Sequence, residues 1–184
     1  MMVQITAEQV DRVSKLLRGI PSGAEKALSA AINRGLSTVR AKSGSAISQT
    51  YHISAGTAKS AGNMKVQQAN GSRISGSVLF SGHMISLIDF SVGYSQRGLV
   101  TASVKKGGNR SELQHAFVAN LKYGTRIYER ETTARDSSKQ LFGPSIAHMI
   151  REESVLENVS EAAQNTVNAR LEHEITRILN GYGG

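Results

Sequence analysis

The chain has 184 residues, 39% of them hydrophobic and only 5% aromatic, with no cysteine and no tryptophan. Twenty-two Lys and Arg against 14 Asp and Glu give a formal charge of +8 and a pI near 10.0, which points to affinity for a polyanion or simply to solubility. Without cysteine, disulfide frameworks and thiolate metal sites are excluded. Without an apolar run long enough for a signal peptide or a membrane span, a soluble protein is expected.

The length suits one domain, residues 1–184, with a core of Ala, Ile, Leu and Val. The charge is unevenly spread. Residues 1–60 hold 8 Lys/Arg against 3 Asp/Glu and residues 61–148 hold 11 against 5, whereas residues 149–184 hold 3 against 6. A basic body with an acidic C-terminal helix could pair head to tail between subunits, or that acidic flank is a solvated face.

Thr6-Ala7-Glu8-Gln9 has the form of a capping box and predicts a short helix to about Arg18, with Val10, Val13, Leu16 and Leu17 on one face. Gly19 and Pro21 end it, and Ser22-Gly23-Ala24-Glu25 starts a longer helix to about Thr50. Its apolar stripe is Ala27, Leu28, Ala31, Ile32, Leu36, Val39 and Ile47, and Ala30, Ala31 and Gly35 allow close approach of another backbone. The Gly/Ala/Ser-rich stretch 54–62 is expected to hold one helical turn. Strands are predicted at Met64–Gln68 and Arg73–Phe80 around a two-residue Asn70-Gly71 hairpin, then at Ile85–Val92 and Leu99–Val104. Lys105-Lys106-Gly107-Gly108-Asn109-Arg110 reads as a basic glycine loop. A hairpin pairs Ala116–Leu121 with Arg126–Arg130 through Lys122-Tyr123-Gly124-Thr125. From Ser145 a 3.6-residue period runs to about Leu179, and glycines follow. Helices at about 7–50, strands at about 64–130 and a helix at about 145–180 predict an α+β fold: a mostly antiparallel sheet packed against long N- and C-terminal helices.

No residue set for catalysis, cofactor binding or metal binding emerges. His52, His83, His115, His148 and His173 are scattered, and His173-Glu174 lacks the second histidine of a zinc helix. Glu152, Glu153, Glu157 and Glu161 have the spacing of an exposed helix flank near a helix start, where negative charge is favoured. Asp89, between Ile88 and Phe90, is expected to point outward from a strand. Gly56-Thr57-Ala58-Lys59-Ser60 has the residues of a phosphate loop without its spacing, and no Gly-x-Ser-x-Gly elbow occurs.

The cations are the one functional signal in the composition. Arg34, Arg40 and Lys42 lie on the second helix, Lys105, Lys106 and Arg110 in the glycine loop, and Arg126, Arg130, Arg135 and Lys139 around the hairpin and the loop after it. Such residues suffice for sequence-independent phosphate contacts. With few aromatics beside them, base reading is not expected. A basic, non-specific nucleic-acid-binding protein is therefore one reading of the chain.

Read in order, Ala30-Ala31-Ile32-Asn33-Arg34-Gly35, Met64-Lys65-Val66, Ile85–Phe90, Ala116-Phe117, Gly124, Arg130 and Leu141-Phe142-Gly143-Pro144-Ser145-Ile146 form a set that resembles the minor tail protein Z family of tailed bacteriophages. The loop at Arg135–Lys139 departs from the family's pattern, with Asp136-Ser137-Ser138 where Arg-x-Pro-Ile is usual. The resemblance implies a virion part and no enzyme: a tail-completion or neck component at the head-proximal end of the tail that helps join tail to head. It implies assembly in the host cytoplasm and a ring of copies of itself, six by the tail's usual symmetry. Tail terminator, tail tube and head-connector proteins would be neighbours, and genomic DNA would pass close by. It carries no catalytic residue and no cofactor. The positions it singles out are Asn33 and Arg34 for packing or subunit contact, Arg130, and Gly143-Pro144, which would set the turn into the last helix.

Overall fold

The computed structural model describes residues 2–3, 5–121, 124–132 and 137–181, the first pair as backbone. Lys122, Tyr123, Arg135 and Asp136, singled out above, lie outside the described residues, as do Gly183 and Gly184. The fold is α+β, with long helices toward both ends and antiparallel pairing between them. It divides into two compact units, one of residues 1–43, 64–80 and 156–184, the other of residues 44–63 and 81–155.

The first unit opens with β1 (Met2–Val3) and α1 (Ala7–Leu16). The capping box forms: Thr6 Oγ1 accepts from the Gln9 N–H at 3.2 Å, and the Gln9 amide oxygen accepts from the Thr6 N–H at 3.1 Å. Val13 and Leu17 are buried as the spacing predicts, but Leu16 stays 46% exposed. Helix α2 (Gly23–Thr50) contributes its residues up to Ser43, burying Ala27, Leu28, Ala31, Ile32, Leu36 and Val39. Each Leu, Ile or Val side chain so removed from water contributes about 1.5–3 kcal/mol, and the alanine methyls less.

Two strands of this unit, β2 (Asn63–Gln67) and β3 (Gly76–Ser81), join β1 in the order β1-β3-β2. The turn between them sits one residue later than the sequence suggests. Asn70 and Arg73 exchange backbone hydrogen bonds across Gly71-Ser72, and Asn70 Oδ1 accepts from the N–H groups of Ser72 and Arg73. A C-terminal helix completes the unit with Val159, Ala163, Val167, Leu171, Ile175 and Ile178 on its buried face.

That last helix is shorter than the periodicity implies. In place of one helix from Ser145, a four-residue α4 (Ile146–Met149) closes at Ile150, and α5 (Glu153–Leu179) starts afresh. The break lies in the second unit, where α2 also ends. There the backbone of Thr50–His52 pairs with residues 104–106, the Lys106 N–H donating to Thr50 O at 2.8 Å and the His52 N–H to Val104 O at 2.9 Å. Residues 54–62 form α3 (Ala55–Ala61), capped by Ser54 Oγ, which accepts from the Thr57 N–H.

The strands make several small sheets rather than one. β5 (Ser91–Tyr94), β6 (Val100–Ser103) and β7 (Ser111–Leu113) form one antiparallel meander, and the predicted hairpin β8 (Ala116–Leu121) with β9 (Gly124–Arg130) forms another, extended by β10 (Ser138–Gln140). β4 (Met84–Ser86) pairs with β11 (Phe142–Ser145). The predicted strand Ile85–Val92 is thus split by a 3-10 turn at Leu87–Asp89. Asp89 is exposed on that turn, not on a pleat. The reason is a change of partner. Leu87 donates its N–H to Leu141 O in the β11 segment, while Ser91 onward registers with β6.

Gly143 and Pro144 lie within β11, where the register against β4 shifts, and not in a turn. A Cβ at Gly143 would stand 2.5 Å from Phe90 Cε2, on a ring that is itself buried. An aromatic ring cannot swing aside as a flexible chain end can, so Gly143→Ala is expected to cost about 1–3 kcal/mol in urea unfolding. Phe90→Leu in the same background should recover part of that loss.

Candidate functional site

The cations singled out by the sequence fall into three environments. In the second unit, those of the glycine loop are tied down. Lys105 Nζ lies 2.5 Å from Glu152 Oε1, and Lys106 Nζ donates to Ser48 O at 2.6 Å. Arg110 donates from Nη2 to Ser91 Oγ at 2.6 Å and from Nη1 to Thr101 Oγ1 at 3.3 Å, clamping the first and second strands of the meander. These three residues hold the fold together; they are not a free basic loop. Glu152 is likewise no part of a solvated acidic flank, whereas Glu153, Glu157 and Glu161 are exposed as expected.

Tyr51 completes the Lys105–Glu152 group. Burial, with Glu152 beside it, pushes the Tyr51 hydroxyl above its ordinary range. The hydrogen bond with Lys105 holds the Glu152 carboxyl below the usual carboxylate range, and the same bond raises Lys105. A depressed carboxylate stabilises the fold above its unfolded pKa, and that stabilisation is lost as pH falls through the folded value. A raised lysine contributes below its unfolded pKa and loses its contribution as pH rises through the folded one, and the raised tyrosine disfavours the fold at the same alkaline end. Because the shifts are mutual, Glu152→Gln and Lys105→Met are each expected to flatten both limbs of a plot of melting temperature against pH.

Around the hairpin the cations are partly committed. Lys139 Nζ sits 3.1 Å from Glu131 and 3.5 Å from Glu129, and the Glu131 bond raises its pKa. The Arg130 guanidinium lies over the Phe117 ring, 5.5 Å from its centre, while Phe117 stacks on Tyr128. Arg130 also lines a cleft of about 490 Å³ with His115, Glu131 and Thr132. Arg126 donates to its neighbour Thr125 O and lines a second cleft, of about 470 Å³, with His83, Met84, Asp89, Gln140 and Phe142.

In the first unit, Asn33 has a structural role that the sequence does not reveal. Its Nδ2 donates to Ala69 O at 3.0 Å and its Oδ1 accepts from the Ala69 N–H at 2.9 Å. The side-chain amide acts as a one-residue strand partner for a buried backbone, so its task is internal. Arg40 and Lys42 are exposed on α2. Arg34 is exposed too, and among the described residues its guanidinium makes no ion pair. It lines a cleft of about 440 Å³ with Asn165, Thr166, Ala169, Arg170 and His173 of α5. Thr38 Oγ1 lies 3.1 Å from Thr166 Oγ1 and helps set the two helices at that distance.

Behind Arg170 stands a feature missed at the sequence level. Glu174 is completely buried, its carboxylate paired with Arg170 and, at 2.8 Å, with Arg177. Its Oε2 accepts from Arg177 Nε, and its Oε1 faces Arg170 Nη2. A carboxylate at a core position of a helix gives no signal in hydrophobic patterning. The arginines four residues before and three after it were the available clue.

No group of three or more His, Asp or Glu among the described residues is placed to hold a metal ion, and no described helix is long and apolar enough to cross a membrane. Compared with known proteins, the chain matches no family model, no curated protein and no solved structure.

Proposed function

We propose that this chain is a structural part of a tailed-phage virion, a tail-completion or neck component that self-associates at the head-proximal end of the tail and helps join tail to head. The observation that carries the reading is the ordered set of segments from Ala30–Gly35 through Leu141–Ile146 that resembles the minor tail protein Z family. Two further features support it. Helices α2 and α5 run 28 and 27 residues, about 40 Å each, long enough to present lateral surface to a neighbouring copy. Arg34 and Arg40 are exposed on α2, whereas α5 exposes Glu153, Glu157 and Glu161 one turn apart. Opposite charge on the two long helices suits head-to-tail contact between copies, which orients an encounter more than it tightens it. The role is one of shape and adhesion, with no reaction assigned.

Deleting the gene from its phage and imaging the particles tests the reading. Free heads and unjoined tails, restored to whole particles when the chain is supplied from a plasmid, are the expected result. Infectious particles of normal form without it would overturn it.

A further inference from the structure

We infer that the cleft between α2 and α5 in the first unit is a binding site for a phosphate group, presented by a nucleic-acid backbone. The inference stands on this cleft alone and is independent of any role in a virion.

Arg34, Arg170 and His173 line the cleft together with the side-chain amide of Asn165, and no carboxylate lines it. The Thr166 hydroxyl is already committed, donating to Ala162 O at 2.8 Å, so the groups able to donate to a guest are the two guanidinia, the imidazole and the amide. Two planar forks set in one cleft by different helices suit an oxyanion with several oxygens. The Ala169 methyl is the one apolar side chain in the lining, too little to hold a hydrophobic guest.

The two arginines are prepared differently. Arg170 is anchored from behind by the buried Glu174, which restricts its side chain while leaving it 41% exposed. Arg34 has no ion-pair partner among the described residues and would gain one from the guest. Four of the six lining residues are exposed, so the site is open enough for a group carried on a large polymer. The chain's charge of +8 favours approach of a polyanion over that of a lone anion. A phosphodiester backbone meets all of these conditions.

The test uses the full chain, labelled with nitrogen-15, and watches the arginine Nε–Hε signals, assigned from Arg34→Gln and Arg170→Lys. Inorganic phosphate is expected to shift the Arg34 and Arg170 signals saturably, and glutarate, a dicarboxylate, to do so only at much higher concentration. In parallel, affinity for a 12-base-pair duplex is followed by fluorescence anisotropy across salt. Arg34→Gln should weaken it about 3–10-fold and reduce the slope of log affinity against log salt by about one. Arg40→Gln removes the same charge from the same helix outside the cleft and should change affinity less than twofold. Equal loss in the two variants would reduce the effect to general charge and overturn the site. Phosphate shifts without any loss of duplex affinity in Arg34→Gln would overturn the nucleic-acid source. Glutarate binding more tightly than phosphate would assign the cleft to an acidic protein segment and overturn the phosphate reading.

Discussion

A chain carrying both Arg170→Gln and Arg177→Gln is expected to be about 3–5 kcal/mol less stable than the wild type in urea unfolding. Glu174 has a side chain only 1% exposed, while its two partners are about two-fifths exposed, so the cost of the triad falls on the carboxylate. Taking away both guanidinia leaves a buried negative charge with nothing opposite it. Either single substitution should cost much less, because one arginine remains. Adding Glu174→Met to the double variant should bring stability back to within about 1 kcal/mol of wild type, since a buried ionic group replaced by an apolar one of similar volume is often neutral or better. A double variant as stable as the parent would show that Glu174 does not depend on its neighbours.

Asn33→Leu is expected to cost about 2–3 kcal/mol, because it strips partners from both backbone groups of Ala69, a residue 5% exposed. Leucine is close in size, so the loss reports hydrogen bonding more than volume. Asn33→Asp keeps the acceptor for the Ala69 N–H but sets a carboxylate against the Ala69 carbonyl, and it should be improved by acidification as that carboxylate gains a proton to donate. Thermal unfolding of both variants at pH 4 and pH 7 distinguishes the two effects. A leucine variant that melted like the wild type would return Asn33 to the surface role that its position beside Arg34 suggests.

Helix content was the most legible part of the chain. The stripe from Ala27 to Ile47 lies in the core residue for residue, because a long amphipathic helix repeats one signal many times. Strands were legible where two runs face each other across a short connection, as in the Ala116–Arg130 hairpin with its Leu121↔Gly124 register. They were not where pairing is distant. Nothing local shows that Ile85–Val92 serves two different partners, or that β11 reaches back to β4.

The cations show the same division. Composition located the basic residues but could not tell which are bound to carboxylates and carbonyls. Lys105, Lys106, Arg110 and Lys139 find partners through tertiary pairing, so counting them as phosphate ligands overstated the basic surface. Arg34 could be seen in the sequence. Arg170, 136 positions further on, could not be brought to it by any spacing rule.

The first unit joins segments far apart in the sequence: Arg12 bridges Glu172 at 2.6 Å, and Gln9 bonds Asn168. During synthesis this body cannot close until Glu172 and the helix around it have left the ribosome, whereas the other unit draws on residues 44–63 and 81–155. A nascent chain, or one clipped ahead of α5, would therefore leave apolar helix faces of the first unit, Ile32, Leu36 and Val39 among them, awaiting their cover. Proteolysis and chaperone capture of such fragments should concentrate on the N-terminal forty residues, far in sequence from the cut itself.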